Sequence, residues 1–327
     1  MYKRLLLMLL SLLAGGMLYA QPDTLGWRLE RFKYPFKIHF ITTTVESKAV
    51  EMFYMDQKPT NWNGKTIVLL HGKNFPAAYW GNAITAFTAQ GYRVIAPDQV
   101  GFGKSSKPEI SYSFELLAGL THQLLDTLGV KQAAIVGHST GGMLAVRFAL
   151  LYPGMVTKLV LADALGLEDW HDKGVPTRTV DQWYEEEKTV TYEQVVDYHR
   201  NYYAEWDEKY RVWADVQYGM MKGKHAEQSA KVSALIYDMI FTQPVVHEFK
   251  NIKTPTLIIV GSDDHTKLAK GASERVTNRL GNYHKLGRKA HKAIHGSQLI
   301  EYEKCGHLPF FEKEDVFYAD VARFIAQ

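Results

Sequence analysis

The feature that most constrains this chain is a succession of short, mainly apolar runs at residues 66–70, 92–96, 133–136, 158–162, 256–260 and 298–302, set among stretches of helix length. Continuous rather than alternating hydrophobicity marks strands buried on both faces, the kind found in parallel sheets covered by helices. Ahead of these runs, residues 36–45 and 49–55 are β-branched and aromatic segments split by polar residues, which predicts an antiparallel hairpin. At 327 residues and 46% hydrophobic content the chain has ample core material, so collagen-like, low-complexity and disordered classes are excluded.

One interval breaks the rhythm. Between Ala162 and Thr256 there is no strand-like run, and the segment is rich in Trp and Tyr. It predicts a helical insertion, a cap over residues 165–249, dividing a core of residues 21–164 from a second core part at 250–327. An insertion after a strand's carboxyl end sits where open α/β sheets bind ligands. Its aromatic residues therefore have two readings, as the insertion's own core or as the roof of a pocket. Trp183, Trp206 and Trp213 are the roof candidates, joined from the core by Asn74 and Leu308.

The start of the chain reads as a signal peptide. Lys3 and Arg4 precede an apolar run, and Ala20 precedes Gln21-Pro22-Asp23, so residues 1–20 are expected to be removed after Ala20 on export to the periplasm or medium. An uncleaved anchor is the competing reading, but the run is short for a bilayer of about 30 Å and is interrupted by Gly15 and Gly16. No stable membrane insertion is expected after cleavage. The formal charge of +3 is too small and too dispersed for nucleic-acid binding. Cys305 is the lone cysteine, and without a Cys pair or a His-Glu-x-x-His pattern no disulfide or zinc site is expected.

The chemistry is carried by Gly137-His138-Ser139-Thr140-Gly141-Gly142, directly after the run at 133–136 and before a helical stretch. Glycines let strand and helix approach at a sharp turn that leaves a serine hydroxyl exposed. A serine hydroxyl is a weak nucleophile, so it needs a base within reach and a third group to orient that base. His307, between Gly306 and Pro309 after the last run, is the best-placed base. Gly261-Ser262-Asp263-Asp264 follows the run at 256–260, and Asp264 has the better spacing of its two acids; Asp163, closing the run at 158–162, is a second strand-end carboxylate. The N–H groups of Thr140 and of Lys73, or of Asn74 beside it, are the candidate oxyanion donors. The Lys73 side chain reads as a solvated charge, the other reading being attraction of an anionic substrate group.

Five ordered motifs now stand together: His71-Gly72, Asp98-Gln-Val-Gly-Phe-Gly-Lys-Ser105, the Ser139 turn, Gly261-Ser-Asp-Asp264, and Gly306-His-Leu-Pro-Phe-Phe-Glu312. From about Lys65 to its end the chain resembles the α/β-hydrolase family. The resemblance implies an α/β-hydrolase fold, with a mostly parallel eight-stranded sheet flanked by helices and an inserted helical cap. It also implies a Ser139, Asp264, His307 triad and no cofactor. Proline iminopeptidases of this fold usually carry HGGPG where this chain has His71-Gly-Lys-Asn-Phe75. Ring-cleavage hydrolases usually place Trp where Leu308 stands, and epoxide hydrolases and dehalogenases use Asp where Ser139 stands. The expected function is a serine hydrolase acting on a small or medium carboxylic ester, thioester or lactone through an acyl-enzyme on Ser139. The alternatives are an aminopeptidase or amidase of the proline iminopeptidase type, or a slow-turnover ligand-binding receptor. Residues 265–295 hold eight Lys or Arg against the single acid Glu274, which predicts an extra helical element at 266–279 with a solvated basic face, the other reading being a face turned to the cleft that prefers acidic substrates or an anionic envelope surface.

Overall fold

The computed structural model describes residues 25–327, so the expected signal segment at 1–20 lies outside the described residues. Strands β1 (Ile38–Val45) and β2 (Lys48–Gln57) form the hairpin, pairing antiparallel from Ile38 with Met55 to Val45 with Lys48. Glu46 and Ser47 both take positive φ in the two-residue turn, the geometry that matches strand twist. There follow β3 (Thr66–Leu70), α1 (Gly81–Ala89), β4 (Arg93–Pro97), α2 (Phe114–Thr127), β5 (Ala133–His138), α3 (Thr140–Leu151) and β6 (Val156–Ala162). The insertion supplies α4 (Val180–Thr189), α5 (Tyr192–Arg200), α6 (Arg211–Met221) and α7 (Ala226–Thr242). The chain closes with β7 (Thr256–Gly261), a single turn α8 (Glu274–Thr277), α9 (Tyr283–Ala293), β8 (Gln298–Tyr302), α10 (Pro309–Glu312) and α11 (Glu314–Ala326).

The strands lie in the order β1-β2-β4-β3-β5-β6-β7-β8, and every pairing from β4 onward is parallel. This is the expected α/β-hydrolase sheet, and β3 shows why its sequence is apolar throughout. Val68 and Leu70 join one apolar cluster with α2, α3 and α9, while Ile67 and Leu69 join another with α1 and α11. Successive strand residues point to opposite faces, so a sheet covered on both sides has no polar position to offer.

The insertion's helices start where the local sequence says they should. Thr179 with Gln182, and Thr191 with Gln194, form capping boxes at the starts of α4 and α5. The helices are not a separate body. Val232, Ile236, Met239 and Ile240 of α7 belong to the cluster that holds α2 and α3, while Tyr202, Tyr203, Tyr210 and Val216 belong to the opposite one. A small core of their own, Val195, Val196 and Ala214, joins α5 to α6.

Residues 266–279 differ from expectation. Only α8 is helical there. Gly271 sits at φ +75°, outside any helix, and the Thr266 N–H bonds the Asp264 carboxylate instead of a helical carbonyl. Of the basic residues in this segment, Lys270, Arg275 and Arg279 are exposed, whereas Lys267 lines the pocket over Ser139. Lys285, Arg288, Lys289 and Lys292 of α9 also face solvent, and Arg288 and His284 share Glu301.

Two close approaches set the positions of the loops above the sheet. A Cβ on Gly141 would lie 2.2 Å from the Leu70 carbonyl oxygen, and one on Gly306 would lie 2.3 Å from that of Tyr202. Both contacts are with backbone, which cannot swing aside. Gly141→Ala should therefore lower the unfolding free energy by about 1–3 kcal/mol through overpacking. Gly154→Ala, where a Cβ meets nothing within 4 Å, should change it by less than about 0.5 kcal/mol. Urea denaturation of the two variants measures both, and equal stabilities would contradict the close approach at Gly141.

Candidate active site

Ser139 links β5 to α3 at φ 55° and ψ −124°, a backbone region that non-glycine residues rarely occupy and that marks functional strain. Backbone hydrogen bonds hold it there. Its N–H donates to Ala162, and its carbonyl accepts from Gly142 and Leu165. The His71–Asn74 turn runs so close that a Cβ on Gly72 would lie 3.0 Å from the Ser139 Cβ. Ser139, Thr140, Lys73 and Asn74 line one small pocket, closed above by Tyr198, Tyr202 and Tyr237.

His307 and Asp264 are both buried, and His307 Nδ1 lies 2.7 Å from Asp264 Oδ2. The other Asp264 oxygen accepts the Thr266 N–H at 2.8 Å. Burial pushes the Asp264 carboxyl up, but the charge and hydrogen bond of His307 and the Thr266 N–H outweigh it, holding the group below the usual carboxylate range. An ionised carboxylate only accepts, so this bond fixes a proton on His307 Nδ1. Nε2 has no hydrogen-bond partner among the described residues.

The second strand-end acid does something else. Asp163, at φ 39°, accepts the Gly261 N–H through Oδ1 and has no contact with His307. Burial, and then the neighbouring Asp264 charge, raise its pKa well above the usual carboxylate value, so Asp163 is the neutral member of the pair.

A hydrogen-bonded chain absent from the sequence reading ties the loops together. The Gly72 N–H donates to the Tyr79 hydroxyl at 3.0 Å, that hydroxyl meets His138 Nδ1 at 3.0 Å, and His138 Nε2 meets the His307 carbonyl at 2.8 Å. A carbonyl only accepts, so His138 donates from Nε2 and accepts from Tyr79 at Nδ1. By the same logic His71 accepts the Gln99 N–H at Nε2 and donates from Nδ1 to the Gly72 carbonyl. Burial lowers the pKa of both rings, that of His138 well below the usual value with a further push from His307, so both are neutral. No short motif marks Tyr79 for this role, because an aromatic residue in a buried turn reads as core.

Several expected pocket residues lie elsewhere. Trp183 is buried behind the roof, stacked on Tyr237 at 5.0 Å. Trp213 packs on Phe311 and Phe75, Trp206 bonds Glu208, and Leu308 is sealed in the core. None of the four lines the pocket over Ser139. An indole has more apolar surface than a rim position can cover; Trp213 fills the seam between insertion and core, while Trp183 and Trp206 pack within the insertion. The roof is tyrosine instead. Tyr202 stacks on His307 at 5.0 Å and accepts the His307 N–H through its carbonyl, while Asn74 donates to its hydroxyl. Tyr237 escaped the sequence reading, although Ser233, Ile236, Tyr237 and Ile240 recur at the spacing of one helix face. Lys73 is not solvated either. Its ammonium bonds Ser233 of α7 at 2.8 Å and sits 3.6 Å from the Tyr237 ring centre.

Two outcomes follow from the hydrogen-bonded chain. Tyr79→Phe leaves the Gly72 N–H and His138 Nδ1 buried without a partner and should cost about 1–3 kcal/mol in urea unfolding. The second concerns pH. His71, His138 and His199 are neutral when folded, His199 being pulled down to about 4 by burial. Their ordinary value is about 6.5, so below it the unfolded chain binds more protons and stability falls as pH drops from about 6.5 toward 4. A urea midpoint that stays level from pH 7 to 5 would contradict neutral rings.

Comparison with known proteins gives the arrangement its family. The sequence model described as the alpha/beta hydrolase fold matches residues 65–314. The crystal structure of a probable hydrolytic enzyme from Pseudomonas aeruginosa superposes with a TM-score of 0.91 at 44% identity, covering 93% of this chain and 99% of that one. An uncharacterized protein of Mycobacterium tuberculosis is 40% identical over 105 residues, 32% of this chain and 30% of its own. A non-heme chloroperoxidase of Streptomyces lividans is 33% identical over 146 residues, 43% of this chain and 52% of its own. The chain thus matches only about a third to a half of the length of these two curated relatives. With the family model spanning most of the sequence and the sheet order, elbow and insertion in place, the chain belongs to the alpha/beta hydrolase family.

Proposed function

We propose that this protein is a serine hydrolase cleaving a small or medium carboxylic ester, thioester or lactone through an acyl-enzyme on Ser139. The observation that carries the reading is His307, held by Asp264 on Nδ1 with Nε2 buried and unpartnered among the described residues, on a loop tied through its carbonyl to His138, the residue that precedes Ser139 on its strained turn.

The steps follow from those groups. Ser139 Oγ adds to the substrate carbonyl while His307 Nε2 takes the hydroxyl proton, and the Asp264 carboxylate stabilises the resulting imidazolium. The carbonyl oxygen becomes an oxyanion, met by the backbone N–H groups of Lys73 and Thr140, neither of which bonds another group among the described residues. Collapse breaks the bond to the alcohol, thiol or ring oxygen, which leaves with the proton from His307. Water then enters, His307 removes its proton, and hydroxide addition to the acyl carbon releases the acid and restores Ser139. His307 Nε2 makes no hydrogen bond among the described residues of the free chain, and the base–nucleophile contact forms when substrate fills the site. Leu165, Ile240 and Leu268 share the pocket with the three tyrosines, which favours compact, largely apolar groups on one side of the carbonyl.

Labelling by an uncharged fluorophosphonate should reach Ser139 in the native chain and disappear in Ser139→Ala, with kcat/KM for ester hydrolysis lowered about a thousandfold or more. Labelling that persists in that variant would remove the nucleophile. Asp264→Asn should lower kcat by up to about ten-thousandfold by favouring the wrong His307 tautomer. Asp163→Asn should keep turnover within about tenfold, because an amide resembles a neutral carboxylic acid in shape and polarity. The reverse ranking of the two acids would transfer the orienting role to Asp163.

A further inference from the structure

Two lysines, Lys73 and Lys267, line the pocket over Ser139, and the surroundings of Lys73 leave its charge incompletely met. An ammonium has three donors. One bonds the Ser233 hydroxyl at 2.8 Å, and the Tyr237 ring lies 3.6 Å away. The nearby carboxylate, Glu187, is reached only through Ser233, whose hydroxyl donates to Glu187 Oε2 at 2.5 Å. No ion pair within 4.0 Å joins Lys73 to an acid among the described residues. A buried charge without a contacting counter-ion is unfavourable. Accordingly burial lowers the Lys73 pKa, and Glu187 only partly offsets the effect.

The position of this charge matters as much as its state. Lys73 walls two pockets: the one over Ser139, and a second bounded also by Lys107, Glu187, Gln217, Ser229 and Ser233. Asn74 is shared in the same way. A molecule with its carbonyl at Ser139 and its chain directed past Asn74 runs toward Tyr237, the ring against which the ammonium lies.

We propose that Lys73 recognises a carboxylate carried by the substrate, so that the natural ester or lactone is a monoanion whose acid group stands a few atoms from the carbonyl attacked by Ser139. The proposal rests on the hydrolase reading above. A carboxylate arriving there takes up the free N–H donors of Lys73 in a direct, charge-assisted contact inside a low-dielectric site, which the Ser233-relayed Glu187 does not make. Glu187 also limits the class. A second negative charge on the ligand would face this carboxylate across Ser233, so a monoanionic group is favoured over a phosphate dianion. The competing role for the Lys73–Ser233–Glu187 chain is a latch between the β3 loop and the insertion. A latch would affect all substrates alike.

The test compares two para-nitrophenyl esters of equal shape, the monoester of adipic acid and the neutral ester in which an isopropyl group replaces the carboxylate. Each enzyme is read as the ratio of kcat/KM for the two, which cancels any general loss of activity. In the native chain the ratio should favour the charged ester by at least about tenfold. Lys73→Met should bring it to about one or below, and Lys73→Arg should restore part of the preference. A native ratio of one or less, or a ratio unchanged in Lys73→Met, overturns the proposal, the latter result assigning Lys73 to the latch. The monomethyl ester of adipic acid, a monoanion, supplies a readout without turnover in Ser139→Ala. It should raise the Tm of Ser139→Ala and not that of the Ser139→Ala, Lys73→Met double variant. If the native chain hydrolyses neither ester and Ser139 resists the uncharged fluorophosphonate, the hydrolase reading fails, and Lys73-dependent binding of the monomethyl ester or its absence still decides the anion site.

Discussion

Three loops, from the ends of β3, β5 and β8, are joined by one hydrogen-bonded chain from the Gly72 N–H through Tyr79 and His138 to the carbonyl of His307. Everything the site does depends on that chain. It fixes the distance from the candidate oxyanion turn to the Ser139 elbow, and from the elbow to the base. The chain works only with a neutral His138, since a protonated ring would have no lone pair for the Tyr79 hydroxyl. Burial enforces neutrality, and inside a poorly polarisable core a missing link would leave polar groups with no water to replace it. The Tyr202 carbonyl, which receives the His307 N–H, extends the same control to the insertion.

Against this neutral framework the site keeps very few charges. Asp163 and Asp264 stand at the ends of β6 and β7 with one carrying the charge and the other holding a proton, because two ionised carboxylates packed that closely repel in a medium that screens them weakly. The partition is decided by partners. Asp264 has His307 and a backbone N–H, whereas Asp163 has a backbone N–H and an oxygen without a partner. Lys73 and Lys267 stand at the pocket wall. Lys73 is held by a hydroxyl and an aromatic face, interactions that tolerate an ammonium without neutralising it.

The insertion shows how burial sorts aromatic residues. Trp183 lies within the insertion and Trp213 in its seam with the core, where both faces of an indole are covered. The tyrosines Tyr198, Tyr202 and Tyr237 occupy the rim of the pocket, where a ring can pack while its hydroxyl faces polar surroundings. Composition showed that the segment would be aromatic. It could not say which rings would meet the pocket, because that depends on how α5 and α7 are rotated against a core distant in sequence.

Much of the architecture was legible in the chain because it rests on rules that act over a few residues. Doubly buried strands require apolar residues at every position, a hairpin turn with two positive φ angles sits between β-rich segments, and a tight strand-to-helix turn requires glycines around Ser139. Those rules located the eight strands, the elbow and the two strand-end acids. They favoured Asp264 over Asp163 by spacing alone, since both satisfy the local pattern, and the packing of β8 beside β7 is what brings His307 to Asp264. They also assigned Lys73 to solvent and residues 266–279 to a helix, and both assignments gave way to partners far along the chain, Ser233 for the first and the Asp264 carboxylate for the second. Local sequence thus determined where elements begin, end and bury themselves. The tertiary structure alone decided which charges meet, because a charge inside a protein is governed by the groups that replace its water, and those groups come from everywhere in the sequence.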